Sequence, residues 1–567
     1  MSDQWGQPPS DGPFPPPPPP PGPFPPPPPG QFPPPPPGQF PPPPPGQFPP
    51  PPPGGQWPGS APPARRRSRR WWWIGGAVFV VVALVAAGIT AVLLRGGHEG
   101  GADSPQAAVL NFLAAAEKND AFAAADLLDP SEQDGVRKVL DNAHNTAEHT
   151  GYQKGGGQNG LLQGLNISTD DVQTTVTKVR DDLARVTITG GQITISFDPA
   201  KSNPGVRDLI SDKDQRDRTW TADDLVTTSH SGEKLDPAVM TVRRSGKWYV
   251  SVMYSYVDAA ARDHDIEPAD PGSIGTESYD SPEDAAKGFV DGLAAMFTNA
   301  DVMDVAKTLS PEGGTLLATY RKLFERNLKR HSVEVVGTPE FTSKTSGNTA
   351  TIKVDDLTVQ YTDDDGDVNK VRFHGGCITA DHDMRCGAQG LWLANDFMFS
   401  PQDTGVIATK GDKGWHIDPV ATYLNSAAQN LHDATPQDVA LVLAESFGAP
   451  KAFLRLDAQE QLSLNGSKSV TLKKGGLEGL GYAIFDVPVH SGDQVTVEVE
   501  QHSGGDDSSR RVAFIVVGGS GRLAQDYSSS YEYGLSARDS FSATDTETVK
   551  LVVWGPADQS VSVSVRD

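Results

Sequence analysis

Two stretches of the chain share one order of hydrophobic and polar positions. Ser104-Pro105 precedes apolar residues at helical spacing, and Ser281-Pro282 precedes a second such run. Serine at the N-cap with proline at the first helical position is a strong helix start. Each run ends at a polar residue and a proline, Asp129-Pro130 or Ser310-Pro311, before another amphipathic stretch. Both stretches therefore predict two successive helices.

Strand-like runs follow the helices in both stretches. They are Val172–Val179, Ala184–Thr189, Ile193–Phe197 and Val239–Val242 in the first, and Val333–Phe341, Thr349–Gln360, Val368–Phe373 and Leu391–Phe399 in the second. Trp248 and Trp415 mark the closing strands, and a last helical pattern follows each. A spacing of roughly 170 residues indicates a domain duplication. Helices on one face of an antiparallel sheet, an α+β domain, would bury these patterns.

This order resembles the NTF2-like (cystatin-like cone) superfamily. The resemblance is carried by Ser104, Pro105, Ala108 and Phe112 of the opening helix and by the closing segment Gly414–Asp418. It implies tandem domains at 104–264 and 281–433 with a linker at 265–280. The family's cone holds a pocket that different members use for catalysis, ligand binding or assembly. In envelope proteins of high-GC Gram-positive bacteria, such domains often follow a single membrane span with a basic or Pro-rich tail.

The pattern of apolar and polar residues changes after a helical connector at 434–450. Residues 451–567 consist of short strand-like runs, and valines alternate with polar residues at Gln494–Glu500 and Ser560–Val565, as in half-buried strands. We therefore expect an all-β sandwich, which resembles secreted carbohydrate-binding and pre-peptidase modules. Three tyrosines in a Ser-rich loop either stack on sugar faces or cap the sandwich edge; they are Tyr527, Tyr531 and Tyr533.

The N-terminal part differs from the rest of the chain in its amino-acid composition. Of the 50 prolines, 34 lie in the first 63 residues. Proline fixes φ and lacks an N–H, so segment 1–64 is expected to be disordered and extended. We interpret it as a cytoplasmic tail that is either a docking strip for aromatic-lined grooves of a partner protein or a plain spacer.

A basic and tryptophan-rich segment, 65–73, precedes 21 uncharged residues, Ile74–Leu94. At 1.5 Å per residue they would cross a hydrocarbon core of about 30 Å. The expected anchor residues are Arg65, Arg66, Arg67, Arg69, Arg70, Trp71, Trp72 and Trp73, which suit the positive-inside rule and an interfacial belt. The segment predicts one transmembrane helix at 74–94, with the N-terminus cytoplasmic and the rest extracytoplasmic at the cell membrane. A cleaved signal peptide is the alternative, but its apolar region should be shorter.

The charge balance limits the partners. The chain carries a net charge of −24, made of +3 in residues 1–70 and −27 in the remainder. Such acidity repels nucleic acid and other polyanions. Membrane lipid, a protein partner for the tail and cell-wall polysaccharide remain as expected partners.

The two cysteines, Cys377 and Cys386, are expected to form a disulfide. Outside a membrane they would be oxidised, and closing the ten-residue loop would contribute about 2.7 kcal/mol. A metal site with His374 and Asp381–Asp383 is the alternative, although zinc sites usually have two to four residues between their cysteines.

Other short segments match the residue pattern of known sites without the surrounding features that those sites need. Asp363–Asp367 lacks the glycine and glutamate positions of a calcium loop and predicts a hairpin turn instead. Ser231–Lys234 matches the SxxK pattern of penicillin-binding proteins, but the partner motif is absent from the sequence. Gly155–Gly160 matches a dinucleotide fingerprint without its strand. We therefore expect no catalytic residue, no cofactor and no metal.

These patterns together predict an α+β protein with a disordered Pro-rich tail, one transmembrane helix, two tandem NTF2-like domains and a C-terminal β-sandwich. The expected function is a non-enzymatic, membrane-anchored envelope scaffold or binding protein. A cell-wall carbohydrate anchor acting through the sandwich is one alternative, and a pocket enzyme built on a cone is the other.

Overall fold

Strands make up more of this chain than helices do. The computed structural model describes residues 101–567 apart from 119–120, 155–162, 199, 204–217, 364–365, 375–376, 381–382, 387–404, 448, 476–479, 502–511 and 528–535. Strands account for 42% and helices for 32%. The excess arises because two hairpins have strands of 14 to 16 residues and the C-terminal part is almost entirely strand. The predicted α+β class is therefore wrong, and the fold is mixed with strand predominating.

The expected membrane helix finds no support either. No helix among the described residues is long and apolar enough to cross a membrane. The 20-residue helix Pro130–His149 has the length, but it is amphipathic and charged along much of its surface. Segments 1–64, 65–73 and 74–94, on which the tail, anchor and span were predicted, lie outside the described residues. The absence of such a helix from the described residues contradicts the predicted single-pass membrane location.

The first copy, residues 104–264, packs helices against an antiparallel sheet. Ser104 caps the opening helix by accepting the Ala107 N–H at 3.1 Å. The helices are α1 (Pro105–Glu117), α2 (Ala121–Asp126), α3 (Pro130–His149) and α4 (Val252–Asp263). The sheet has the order β1 (Leu165–Arg180), β2 (Leu183–Phe197), β6 (Ala238–Arg244) and β7 (Lys247–Val250), with β3 (Arg218–Thr221) paired to β2. A small separate hairpin pairs β4 (Thr227–Thr228) with β5 (Lys234–Leu235).

The second copy, residues 281–433, also opens with helices, continues into a long hairpin and closes with a short hairpin and a last helix. Its helices are α5 (Pro282–Asn299), α6 (Met303–Ala306), α7 (Pro311–Thr319), α8 (Arg321–Glu325) and α9 (Pro419–Asp433). Its strands are β8 (Val333–Ser346), β9 (Thr349–Thr362), β10 (Val368–His374), β11 (Cys377–Ala380), β12 (Asp383–Cys386), β13 (Val406–Gly411) and β14 (Gly414–Ile417). They form a sheet in the order β12-β11-β10-β9-β13-β14, with β8 paired to β9. The strand predicted at 391–399 lies outside the described residues.

The tryptophan strands make the same contacts in both copies. Trp248 bridges Ala102 in the first, and Trp415 bridges Tyr279 in the second. Two residues later, Val250 bridges Leu128, the residue before the cap of α3, and Ile417 bridges Leu309, the residue before the cap of α7. The closing strand of each copy therefore contacts both the chain entering the first helix and the start of α3 or α7.

The two copies pack on each other reciprocally. The side chains of Lys138, Asn142 and Thr146, each one turn apart on α3, donate hydrogen bonds to Asn425, Ala428 and Leu431 of α9. Conversely, Leu316 and Tyr320 of the second copy join a buried cluster with Tyr254, Val257 and Ala261 of α4. Helix α3 corresponds to α7, and α4 corresponds to α9. Each copy therefore gives the same pair of helices to the interface, as the subunits of a two-fold dimer do.

A buried carboxylate lies at the centre of this interface. Arg185 of β2 donates to Asp258 of α4 through Nε at 2.9 Å and Nη2 at 2.7 Å. From the second copy, the fully buried Tyr320 donates to the same carboxylate at 3.0 Å. Burial and Asp258 together raise the pKa of the Tyr320 phenol. Because all three groups are withdrawn from water, removing one leaves the others unsatisfied in a medium of low polarity.

The C-terminal part consists of two sheets around one core. The first contains β15 (Glu460–Gln461), β17 (Lys473–Lys474), β18 (Leu480–Val489), β20 (Ala513–Gly518), β21 (Gly521–Tyr527) and β23 (Glu547–Pro556). The second contains β16 (Gly466–Thr471), β19 (Gln494–Gln501), β22 (Ser536–Ser542) and β24 (Ser560–Arg566). The predicted strand alternation is confirmed: Val495, Val497, Val499 and the valines of β24 are all at most 1% exposed. A period of two therefore places one face of each strand inside.

Helix α10 (Pro436–Phe447) joins this part to the two copies. Tyr482 of β18 donates to the buried Asp438 of α10 at 2.8 Å, and Thr435 caps the same helix. Ala147 at the end of α3 and the nearby Tyr152 pack into the same cluster as α10 and the first sheet. Helix α3 thus contacts both the second copy and the C-terminal sheets.

The backbone places the two cysteines opposite each other. Cys377 of β11 and Cys386 of β12 are directly opposite each other in an antiparallel ladder. Opposite residues of such a pair have Cα atoms about 4.5 to 5.5 Å apart. A disulfide requires about 4.4 to 6.8 Å. The backbone geometry therefore suits the predicted disulfide.

If Cys377 and Cys386 form a disulfide, iodoacetamide should modify neither cysteine in the purified native chain and should modify both after reduction. Intact-mass spectrometry measures this directly. Replacing Cys377 and Cys386 together by serine should lower the free energy of unfolding by about 2 to 3 kcal/mol. Full alkylation of both thiols before reduction would contradict the prediction.

Tyr320→Phe removes one donor to the buried Asp258 carboxylate while keeping the ring. We expect a loss of about 1.5 to 3 kcal/mol in the free energy of unfolding, because a hydrogen bond to a charged group is lost inside the protein. Tyr256→Phe is the matched control, since Tyr256 is 44% exposed, and it should change stability by less than about 0.5 kcal/mol. Equal urea midpoints for the two variants would refute the role given to Tyr320.

Candidate functional site

One face of helix α5 is apolar and lines a cavity. Ser281 caps this helix by accepting the Asp284 N–H at 3.1 Å, and the helix ends where Ala300 takes a left-handed φ of 53°. Phe289, Leu293 and Met296 recur at helical spacing and turn the same way, with Phe297 beside them. The cap and this spacing explain why one helix presents four large apolar side chains to one space.

The opposite wall comes from the segments after α5. Its residues are Val302, Val305, Leu309, Leu317, Phe324, Asn327, Leu328 and Pro419. The two walls border a space of about 480 Å³ that is open to solvent. That volume lies within the range of about 300 to 1,000 Å³ that is usual for small-molecule sites. Asn327 is the single polar side chain among the lining residues.

Two phenylalanines at the cavity remain in contact with water. Phe297 is 38% exposed and Phe324 is 40% exposed. Both line the cavity, whereas phenylalanine in a folded protein is usually well buried. An exposed aromatic pair at a concave apolar surface is typical of a binding site.

The two copies differ after the corresponding helix starts. Counted from the caps at Asp129 and Ser310, Leu140 and Arg321 have the same position in the sequence. Leu140 lies inside α3, is 2% exposed and packs in the cluster that contains Phe112. Arg321 begins the separate helix α8 and forms ion pairs with Asp301 at 3.2 Å and Glu325 at 2.7 Å. The chain beside the cavity therefore follows a different course from α3 of the first copy.

The cavity mouth carries a local positive charge. Residues 321–331 include Arg321, Lys322, Arg326, Lys329 and Arg330 against one acid, Glu325. Phe324, Asn327 and Leu328 of this same segment line the cavity. The basic residues are exposed and lie in the same segment as these three lining residues, in a chain whose net charge is −24. Such a segment attracts anionic groups at short range.

The lining residues include no histidine, cysteine, aspartate or glutamate. These walls therefore supply no general acid or base and no metal ligand. What they can do is remove apolar groups from water.

A buried carboxylate does occur in the first copy, but its oxygens are already engaged. Glu132 accepts hydrogen bonds from the Ser251 hydroxyl at 2.6 Å and from the N–H groups of Val252 at 2.8 Å and Met253 at 3.2 Å. Burial and the neighbouring Asp129 raise the pKa of Glu132 to about 7. Glu132 thus satisfies the free N–H groups at the start of α4, which is a structural role.

The second copy solves the same problem with different residues. Its last helix, α9, begins at Pro419, which has no N–H to satisfy. The residue corresponding to Glu132 is Gly313, and a Cβ there would lie 2.6 Å from the Pro419 ring. Proline at the helix start therefore removes the need for a buried acid, and glycine leaves room for the ring.

The structure does not bring the sequence-predicted site residues together. The anchor residues at 65–73, together with Tyr531 and Tyr533, lie outside the described residues. Tyr527 ends β21, opposite Ala513, and its side chain is not among those described. Trp415 is a core residue at 6% exposure, and Trp248 is half-buried. None of these residues lines the cavity.

The segments that match known site motifs only in sequence lie in turns and loops where the structure describes them. The hairpin turn predicted at Asp363–Asp367 is confirmed, because β9 and β10 pair on either side and Asp363 accepts the Asp367 N–H at 2.9 Å. Ser231 lies in the loop between β4 and β5, where it donates to Asp265 at 2.9 Å. Gly155–Gly160 lies outside the described residues.

Sequence reasoning missed the cavity, although two signals were available. Phe289, Leu293 and Phe297 recur at helical spacing, which is also the pattern of a helix in a packed core. The basic run at 321–331 stands out in an acidic chain. Neither signal shows by itself that the core of the second copy is incomplete.

Comparison with known proteins gives little guidance. No protein-family model matches the chain, and no curated protein matches it. The pre-peptidase C-terminal domain of a collagenase from Bacillus anthracis aligns with 20% of this chain and 98% of that one, at 13% identity and a TM-score of 0.15. The insecticidal delta-endotoxin Cry8Ea1 from Bacillus thuringiensis aligns with 74% of this chain and 54% of that one, at 9% identity and a TM-score of 0.11.

At such TM-scores neither likeness carries an argument about this chain. The resemblance of the two copies to the NTF2-like superfamily, and that of the C-terminal part to carbohydrate-binding and pre-peptidase modules, stay predictions.

The raised pKa of Glu132 predicts a pH-dependent stability. The folded protein holds this proton more tightly than the unfolded chain, whose glutamates titrate near 4.5. The contribution is therefore fully present below about pH 4.5 and is lost as the pH rises through about 7, with an upper limit of about 3 kcal/mol. Glu132→Gln should flatten the fall in unfolding free energy between pH 5 and pH 7.

Urea titrations across that range measure the slope. Asp134→Asn is the matched control on the same helix, since the Asp134 side chain is fully exposed, and it should keep the wild-type slope. An unchanged slope in Glu132→Gln would show that Glu132 does not titrate there.

Proposed function

We propose that this protein is a non-enzymatic binding protein whose second copy holds an amphiphile, a molecule with an apolar chain and an anionic head group. The observation that carries the proposal is the 480 Å³ apolar cavity of the second copy, which opens beside a basic segment. This keeps the binding role expected from the sequence and gives it a site. The membrane anchoring expected with it is not part of the proposal.

The apolar lining selects a hydrocarbon chain. Each methylene moved from water into such a site contributes about 0.8 kcal/mol. Association costs several kcal/mol in lost translational and rotational freedom. A chain of about ten carbons contributes about 8 kcal/mol, which offsets that cost, whereas a short chain does not. The half-exposed Phe297 and Phe324 would lose their contact with water in the complex.

The charges at the mouth select the head group. Arg326 is exposed and adjoins the lining residue Asn327, and Lys322 lies within the same segment. A carboxylate or phosphate at the opening would meet guanidinium and ammonium groups there. Arg321 forms ion pairs with Asp301 and Glu325, and these pairs reduce the repulsion between the two acids and an anionic head group.

Binding is favoured over catalysis by the chemistry of the walls. The cavity lining has no titratable acid or base, and the buried Glu132 is occupied in capping α4. No described side chain gives specific support to the carbohydrate alternative, whose three tyrosines lie outside the described side chains.

The test uses isothermal titration calorimetry of the full chain with dodecanoate and with dodecanol. Leu293→Trp should fill the cavity and weaken binding of both probes by about tenfold or more, a change of about 1.4 kcal/mol. Val336→Trp is the matched control, since Val336 is 38% exposed on β8 and does not line the cavity. Arg326→Glu should weaken dodecanoate by about threefold and leave dodecanol unchanged.

Three outcomes would overturn the proposal. One is wild-type protein that binds neither probe. Another is equal affinity in Leu293→Trp and Val336→Trp. The third is a dimer that dissociates only in Leu293→Trp, because the occupant of the cavity would then be a second copy of the chain.

A further inference from the structure

A histidine-containing loop is fixed against the end of helix α4 in the first copy. The loop between β4 and β5 is closed by a hydrogen bond from the Ser229 N–H to Glu233 at 2.8 Å. The His230 N–H donates to the backbone carbonyl of Asp263 at 2.9 Å. Ser231 adds a hydrogen bond to Asp265. These contacts hold the side chain of His230 beside the last turn of α4.

Three side chains meet at this point. His230 Nδ1 lies 2.7 Å from Asp263 Oδ2, and the rings of His230 and His264 lie 4.4 Å apart. One ligand atom from each of His230, Asp263 and His264 lies within 4.8 Å of the other two. Ligands of a tetrahedral zinc ion are about 3.3 Å apart. His230 is more than half exposed, so its side chain has room to rotate toward the other two.

The second observation is an unsatisfied oxygen. Asp263 is only 3% exposed, and its Oδ1 atom is buried without a hydrogen-bond partner. A buried carboxylate oxygen without a donor is costly, and such groups are usually paired or bound to a metal. We propose that His230, Asp263 and His264 form a binding site for a divalent transition-metal ion of the zinc class, with the Asp263 carboxylate as one ligand.

The donor set favours zinc over magnesium or calcium. Imidazole nitrogen suits zinc, copper and nickel, whereas calcium and magnesium prefer sites made only of oxygen. Arg326 opposes a cation here, and the carboxylates of Asp263 and Asp265 outweigh its single charge.

The site differs in chemistry from the apolar cavity and its three ligands do not line that cavity, although Arg326 adjoins both. A site with three protein ligands leaves coordination positions open to water or to an anion.

The test is titration of the full, metal-stripped chain with Co²⁺ and Zn²⁺. We expect one equivalent of Co²⁺ to bind, with visible absorption bands that Zn²⁺ abolishes and that a large excess of Mg²⁺ or Ca²⁺ does not. His230→Gln and His264→Gln should each weaken Zn²⁺ binding by about tenfold or more. His490→Gln is the matched control, since His490 lies 3.7 Å from Asp493 in an exposed His–Asp pair, and it should change nothing.

Circular dichroism of each variant checks the fold, and His230→Gln keeps the test valid if His264→Gln does not fold. The proposal fails if Co²⁺ gives no absorption bands, or if His230→Gln binds Zn²⁺ as tightly as His490→Gln does. It also fails if Mg²⁺ displaces Zn²⁺. Each of those results would make the cluster a structural His–Asp ion pair.

Discussion

The arrangement of the two copies depends on one buried carboxylate. Asp258 is held by two hydrogen bonds from Arg185 of its own copy and by one from Tyr320 of the other. A charge withdrawn from water tolerates little movement, because any displacement leaves it without a partner. This contact, with the ladder of hydrogen bonds between α3 and α9, fixes the second copy on the first. The end of α4, in the proposed metal site, and the segment after α7, in the cavity wall, both adjoin this interface.

The two copies share closing-strand contacts but differ in the residues that surround them. Leu140 lies inside α3 of the first copy, whereas the helix of the second copy ends before Arg321, next to the segment that lines the cavity. A glutamate beside the start of α4 corresponds to Gly313 beside Pro419, so the buried acid belongs to the first copy. The strand contacts of Trp248 and Trp415 remain the same.

The candidate sites illustrate why function was harder to predict than local structure. His230 and His264 are 34 positions apart, and only the packing of the β4–β5 loop on α4 brings them together. The apolar face of α5 is visible in the sequence, but whether another side chain fills the space beside it is a tertiary question. Motifs recognised by letter, such as Ser231–Lys234, proved to be loop residues, because spacing alone does not place a base beside a nucleophile.

The sequence alone determined what depends on neighbouring residues: the helix starts at Ser104 and Ser281, the hairpin turn at Asp363–Asp367 and the alternation of β19 and β24. Caps, turns and period-two strands act over a few residues, so their signals survive without a fold. The balance of strand over helix, the reciprocal packing of the copies and both candidate sites were decided by the tertiary structure. They depend on contacts between residues far apart in the chain, and no local pattern encodes which side chains those contacts bring together.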